Sequence, residues 1–254
     1  MALEFTGKGA ALSSDGLAGV AKNLDVKAPE IWAVLGVETS GCGFLVNQRP
    51  PILYERHIFS RLTHGVFDDG NISDPSPGGY GKGGVAQYDR LDRAIALDRN
   101  AALQSASWGI GQILGSNFGL AGFTSVENMV AAMCDAEDNQ LTAFAKFLKS
   151  SKLDKSLQVH DWTAFARGYN GPNFAQNHYD VQLRGEFQKF SLGALPDLRV
   201  RACQIYLGFK GFSPGNVDGV AGVLTRDALR LFQKAQGLPI TGLPDDATFA
   251  ALTP

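Results

Sequence analysis

The sequence predicts a mainly α protein of the α+β class, in two parts. Residues 1–195 form an α-rich domain with a little β structure, and residues 196–254 form a small helical module. Three observations carry this reading. Apolar residues recur at i, i+3, i+4, i+7 along most of the 254 residues, the period of an amphipathic helix. That period breaks over residues 44–63, where β-branched and aromatic residues stand beside Pro50-Pro51 and suggest a short strand or hairpin. Ser191-Leu192-Gly193-Ala194-Leu195-Pro196 interrupts the last strong stripe of the first part and reads as the boundary.

Taken in order, Leu17, Val20, Ala21 and Leu24 form the first stripe, after a polar start at Ser13-Ser14-Asp15. Pro29 suits the first turn of a second helix, APEIWAVLGVETSG, which stops at Gly41. The segment DDGNISDPSPGGYGKGG at 68–84 is too dense in Gly and Pro for a regular element. Its formal GxGxxG (Gly79, Gly81, Gly84) has no preceding strand and no βαβ unit, so a loop beside a cleft is the better reading than a dinucleotide site. One helix is expected from Val85 to Leu103, with Tyr88, Leu91 and Ile95 on a face. Thr124 and Glu127 make a capping-box pattern ahead of Val126, Met129, Val130 and Met133, a core stripe. Asp161 caps a helix carrying Trp162, Phe165, Ala166 and Tyr169, and Tyr179, Leu183, Phe187 and Phe190 mark another. The C-terminal part carries the stripes Val200, Cys203, Gln204, Leu207 and Ala228, Leu231, Phe232, separated by the turn-rich GFSPGNVDGVAG. No internal repeat is read in the chain.

Composition narrows the function classes. Hydrophobic residues are 44% and charged residues 19%, ordinary for a globular protein with a sizeable core. The net charge of −2 argues against nucleic acid or an anionic membrane as partner. No apolar run approaches the roughly 18 residues of a membrane span, and no signal peptide is read at the N-terminus. Cys42, Cys134 and Cys203 are far apart and read as free thiols, Cys42 as a small packing residue. The histidines, His57, His64, His160 and His178, form no HxH or HxxxH, so a zinc peptidase has little local support, and no cofactor is expected. There is no GxSxG.

Glu38 is the most informative position. On the helix from Pro29 it shares a face with Ile31 and Leu35, where a carboxyl group is desolvated and its pKa raised, as a general acid needs. Spacing alone fits equally a partly exposed carboxylate near a frayed helix end. Glu55 lies in ILYERHIF, where strand alternation sets Leu53, Glu55 and His57 on one face. On residues alone it reads as a surface partner of Arg56 or another arginine. Two carboxylates in different environments are also what glycoside hydrolysis needs.

WAVLGVETSGCGF followed by PPILYERHIF resembles the N-acetylmuramidase domain of phage endolysins, with its E-S/T-x-G-x-G-F and F/Y-E-R-H motifs in order. SWGIGQILG at Ser107–Gly115 and ARGYNGPNFAQNHY resemble the Ser-x-Gly-x-x-Gln and Tyr-Asn segments of goose-type lysozymes and lytic transglycosylases. The match spans about residues 10–190. It implies a lysozyme-like catalytic domain with Glu38 as general acid and Glu55 as second carboxylate and base. It also implies a sugar groove lined by Ser107, Gln112, Tyr169 and Asn170. On residues alone, Tyr169 fits the core equally well, Ser107 fits a helix-end cap, and Trp108 reads as packing. Val217-Asp218-Gly219, Gly222, Thr225, Phe232-Gln233, Thr241-Gly242 and Thr248 resemble the three-helix peptidoglycan-binding module of wall hydrolases. That module carries six Lys and Arg against five Asp, so attraction to the wall is not mainly electrostatic.

The resemblance implies a monomeric endolysin that cleaves the β-1,4 bond between N-acetylmuramic acid and N-acetylglucosamine, with peptidoglycan glycan strands as its partner. It further implies synthesis in the bacterial host cytoplasm and release to the wall through a membrane pore. A lytic transglycosylase, which needs one glutamate, and a non-catalytic wall-binding protein are the alternatives.

Overall fold

A computed structural model describes residues 3–39, 41–171 and 174–253. Ser40 of the first glutamate motif and Pro172 and Asn173 of the Tyr-Asn segment lie outside them. Helix α1 (Ser14–Leu24) starts where expected, with Ser13 Oγ accepting the Gly16 N–H at 2.9 Å. Helix α2 (Ala28–Thr39) buries Ile31, Trp32, Ala33, Val34 and Leu35 in succession. A helix buried around most of its circumference belongs in the middle of a core, and α2 runs through this one, with Glu38 in its C-terminal turn at the edge of the core.

The segment after it departs from expectation. Only Ile52–Tyr54 is strand (β1), and Arg56–Leu62 is a helix (α3) with Glu55 as its N-cap residue. The alternation predicted through Leu53, Glu55 and His57 therefore stops at Glu55: Ile58, Phe59 and Ser60 are buried together on a helical turn. Helices α4 (Ala86–Ile95) and α5 (Arg99–Gln104) replace the single helix predicted from Val85 to Leu103. Asp98 ends the run by capping α5, its carboxylate accepting the Ala101 N–H at 2.8 Å. Strands β2 (Ala106–Trp108) and β3 (Ile113–Leu114) complete a three-stranded antiparallel sheet, order β1-β2-β3, with Ile52 opposite Trp108 and Trp108 opposite Ile113. The hairpin thus falls in SWGIGQIL, and β1 finds its partner across half a hundred residues, a pairing that local pattern cannot reveal. Trp108 is fully buried, as its packing role requires.

Helix α6 (Val126–Asp135) is capped by Ser125, whose Oγ accepts the Asn128 N–H at 3.1 Å, and not by Thr124. Glu127 is drawn away from any capping box by Arg99, 2.7 Å from it. Helices α7 (Glu137–Ser150), α8 (Asp154–Gln158), α9 (Trp162–Asn170, capped by Asp161) and α10 (Tyr179–Leu192) finish the larger unit. α10 runs along α2.

Helices α11 (Leu198–Phe209), α12 (Val223–Ala235) and α13 (Asp246–Leu252) pack around a second core of Cys203, Leu207, Leu229, Phe232 and Leu252. Leu231, predicted on the inner stripe, is exposed, and Leu229 takes the place. This module also contains the repeat that the sequence reading lacks. Buried Gln204 accepts the Gly219 N–H (2.9 Å) and donates to Asp218, the Val220 carbonyl and Thr225. Buried Gln233 accepts the Gly242 N–H (2.8 Å) and donates to Thr241, the Leu243 carbonyl and Thr248. The two turns are one device used twice, masked in sequence because the glutamine stands at different distances before a shared glycine-threonine spacing.

The two units share one buried ion pair. Arg201 of α11, 1% exposed, forks onto Glu137 of α7, 0% exposed, at 2.5 Å (Nη1–Oε2) and 2.6 Å (Nη2–Oε1). Glu137 also accepts the N–H groups of Leu12 and Gly43, each at 2.7 Å. Removing one member of such a pair strands the other's charge without water. R201M is therefore expected to lose about 3–5 kcal/mol of unfolding free energy in urea titrations, most of it recovered in E137Q/R201M. An R201M protein as stable as wild type counts against the pair.

Candidate active site

Glu38 sits in the last turn of α2, and α9 delivers its partner. Asn170, the last residue of α9, donates from Nδ2 to Glu38 Oε1 at 3.1 Å. Burial raises the Glu38 pKa above the ordinary carboxylate range, and the single amide bond offsets this only in part. Tyr169 stacks on Phe165 and meets Phe144 and Phe147 edge-on, while its hydroxyl donates to the Gly111 carbonyl. Its ring is thus core, and its phenol ties α9 to the hairpin turn. Burial first, and the Glu38 charge second, raise the pKa of both the Tyr169 and the Tyr179 phenols. Tyr179 was legible in sequence only as a member of a helical stripe.

Glu55 follows β1, its N–H donating to the Ser105 carbonyl at 2.8 Å. Arg56 does not pair with it; that guanidinium turns to Asp74 (3.3 Å) and the Gly70 carbonyl (2.7 Å). Glu55 Oε2 lies 3.2 Å from His57 Nδ1, close enough for charge attraction but without hydrogen-bond geometry. Burial again raises the carboxyl pKa, while His57, the Tyr80 hydroxyl and Arg90 pull it back toward ionisation. Tyr80 comes from the glycine-rich segment. Gln87 holds that segment against the sheet: its Nε2 donates to the Tyr80 and Lys82 carbonyls, each at 2.7 Å, and its Oε1 accepts the Tyr54 N–H at 3.0 Å. Arg90 adds a bond to the Gly79 carbonyl at 2.8 Å. Sequence reasoning missed Tyr80, Gln87 and Arg90, because nothing local links the glycine-rich segment to Glu55.

Glu38 lies in the last turn of α2, and Glu55 follows β1 as the N-cap residue of α3. Gly109 N–H and Gln112 Nε2 bond the Pro51 carbonyl (3.0 and 3.1 Å) at the hairpin-turn end, where Tyr169 docks. Ser107 stands in mid-strand, opposite Leu53 and Leu114, half-buried and not at a helix end. Gln112 takes φ +46°, and both amide protons are spent inside the turn, on Pro51 and on Gly109 (2.9 Å), so its nitrogen shapes the hairpin. The structure therefore unites Glu38, Tyr169 and Asn170, and connects them through the sheet to Gln112, Ser107 and Glu55. A separate cavity of about 1220 Å³ opens between the two units, against Trp32, Gly36, Cys42, Phe190 and the 216–221 turn; neither glutamate lines it. Among the described residues no group of three His, Cys, Asp or Glu side chains is placed to hold a metal, and no helix is long and apolar enough to cross a membrane.

The raised Glu38 pKa has a stability signature. The native state holds the Glu38 proton more tightly than the unfolded chain, so stability contributed by this group is present at low pH and is lost as pH rises above the unfolded value. E38Q is expected to melt higher than wild type at pH about 7, with the gap closing toward pH about 4. A pH-independent gap in thermal melts contradicts a desolvated Glu38.

The N-acetylmuramidase family model matches residues 27–191, and a peptidoglycan binding domain model matches residues 197–252. No curated protein matches the chain. Among solved structures, the Burkholderia AP3 phage endolysin is 36% identical, with 72% of this chain and 71% of that chain covered and a TM-score of 0.65. SltB3 from Pseudomonas aeruginosa, solved with NAG-anhNAM-pentapeptide, is 17% identical over 93% of this chain and 79% of that one, but its TM-score of 0.27 supports no inference. The family match covers well over half the chain, on a mainly helical fold like that of the endolysin, and so the chain belongs to the N-acetylmuramidase family, as a peptidoglycan-cleaving enzyme that carries a peptidoglycan-binding domain.

Proposed function

We propose that this protein hydrolyses the β-1,4 bond between N-acetylmuramic acid and N-acetylglucosamine, with Glu38 as general acid and Glu55 as the second carboxylate. The observation that carries the reading is the Glu38 environment: a carboxyl group at the end of a helix whose middle, Ile31–Leu35, is buried in the core, desolvated, with one amide donor. Asn170 occupies Oε1, which leaves Oε2 to hold the proton that passes to the glycosidic oxygen. Loss of the leaving sugar generates an oxocarbenium-like centre. Glu55, kept within reach of ionisation by His57, Tyr80 and Arg90, takes a proton from the attacking water or stabilises that centre. Ser107, Gln112, Tyr169 and Asn170 then border the glycan, and Tyr169 acts chiefly by fixing α9 to the hairpin.

The domain division that goes with this reading is 1–195 for catalysis and 196–254 for binding peptidoglycan, the substrate and sole partner of a monomer acting in the bacterial cell wall. The binding unit raises the concentration of the catalytic unit at an insoluble polymer.

Purified peptidoglycan digested by wild type, reduced with borohydride and analysed by mass spectrometry, is expected to give reduced muramic acid ends. Exclusive 1,6-anhydromuramic ends assign a lytic transglycosylase instead, and a protein that binds sacculi without releasing fragments is a wall-binding protein. E38Q is expected to lose about a hundredfold to ten-thousandfold in rate while remaining folded; an active E38Q removes Glu38 from the mechanism.

A further inference from the structure

We infer that Arg201, in the C-terminal module, is a positioning residue for Glu38, so that the module completes the catalytic helix as well as binding the wall. The inference rests on the reading of Glu38 as the general acid. Its geometry starts at the end of α2. Gly41, at φ +76°, closes that end by donating its N–H back to the Leu35 carbonyl at 3.0 Å. The Gly41 carbonyl then points at Arg201, whose Nε donates to it at 3.0 Å and whose Nη2 donates to it as well. Two residues on, the Gly43 N–H is held by Glu137 (2.7 Å), and the Gly43 carbonyl accepts from Gln140 Nε2 (2.9 Å). The guanidinium also lies over the Trp32 ring, 5.6 Å from its centroid, one and a half turns before Glu38 on the same helix.

The exit turn of the catalytic helix is therefore clamped by one guanidinium that α11 supplies and one carboxylate that α7 supplies. A helix end leaves carbonyls without partners, and a cation there meets the negative end of the helix dipole. Only a planar fork spans the Gly41 carbonyl and both Glu137 oxygens together; a lysine ammonium reaches one or the other. What Arg201 fixes is the last turn of α2, and Glu38 is the residue in that turn whose placement decides the proton transfer. A larger pool of conformations there admits water to the carboxyl group and takes away the desolvation that raises its pKa. The titratable and polar groups that act on Glu38 are the Asn170 amide of α9, bonded to it, and the phenols of Tyr169 and Tyr179, coupled to its charge; Arg201 contacts none of them.

The test compares wild type, R201K, E137Q/R201M and E38Q as full-length chains on soluble glycan strands prepared from peptidoglycan, with near-ultraviolet circular dichroism and melting temperature recorded for each. R201K keeps the buried charge and serves as the comparison if E137Q/R201M does not fold. In the folded variants kcat is expected to fall about ten- to a hundredfold with KM changed less than about twofold, because small misplacements of a catalytic group act on the chemical step. The alkaline limb of the pH profile is expected to move to lower pH, with R201K between wild type and E137Q/R201M. A merely structural clamp lowers the melting temperature and leaves kcat per folded molecule and the pH limb unchanged; that result overturns the inference. E38Q separates the two levels: if E38Q is active, the Glu38 reading fails whatever Arg201 does, and if E38Q is inactive while the Arg201 variants match wild type, this inference fails alone.

Discussion

The buried pair of Glu137 and Arg201 is the constraint on which the rest of the structure depends. Two opposite charges without water are tolerable only when every remaining donor and acceptor finds a partner. Here the remaining partners are Leu12, Gly41 and Gly43, which belong to the N-terminal arm and to the turn after α2. Satisfying one ion pair thus fixes three otherwise unrelated segments: the arm that leads to α1, the exit of the central helix, and the first helix of the C-terminal module. Tyr206, one turn further along α11, accepts the Ala11 N–H at 3.0 Å and extends the same seam. The two cores are separate clusters of apolar side chains, yet they meet on a polar joint with a defined geometry and not on a loose tether.

Four buried glutamines and the half-buried Gln112 repeat this logic on a smaller scale. Gln87 binds the glycine-rich segment to β1, Gln112 closes the hairpin turn, Gln140 joins α7 to both Gly43 and Ile110, and Gln204 and Gln233 each close a turn of the C-terminal module. A primary amide offers two donors and an acceptor without a charge to desolvate, so it can cross-link three backbone groups in a core at modest expense. Loops that carry function are positioned by scaffold in this way. The segment bearing Tyr80 beside Glu55 is the clearest case, with two of its carbonyls on one amide.

The two glutamates reach a raised pKa by the same cause, desolvation, but in different company. Glu38 has the neutral Asn170 amide beside it; Glu55 has His57, the Tyr80 hydroxyl and Arg90. Neutral company favours a retained proton and cationic company favours its loss, which is the division of labour that a general acid and a second carboxylate require.

Helical period, caps and breakers were legible in the sequence: α1, α2, α9 and α10 follow from them because each depends on residues within one or two turns. The candidate carboxylates were legible too, Glu38 from its place on an apolar helix face and both from the family motifs. Where two local signals competed, the nearer hydrogen bond won, as Asp98 and Ser125 show. Residues 55–57 became a helix start because Ile58 and Phe59 had a core to enter, which is a tertiary fact. The partner of β1, the role of the glycine-rich segment, the inward turn of Gln112 and the second use of the glutamine device were decided only by the folded chain. In each of these the interacting groups are distant in sequence, and polar residues that read as surface are buried because the fold supplies every partner they need. Arg201 is the extreme example: its type and spacing suggest an exposed charge on a small module, and only the tertiary structure carries it to the end of the helix that bears Glu38.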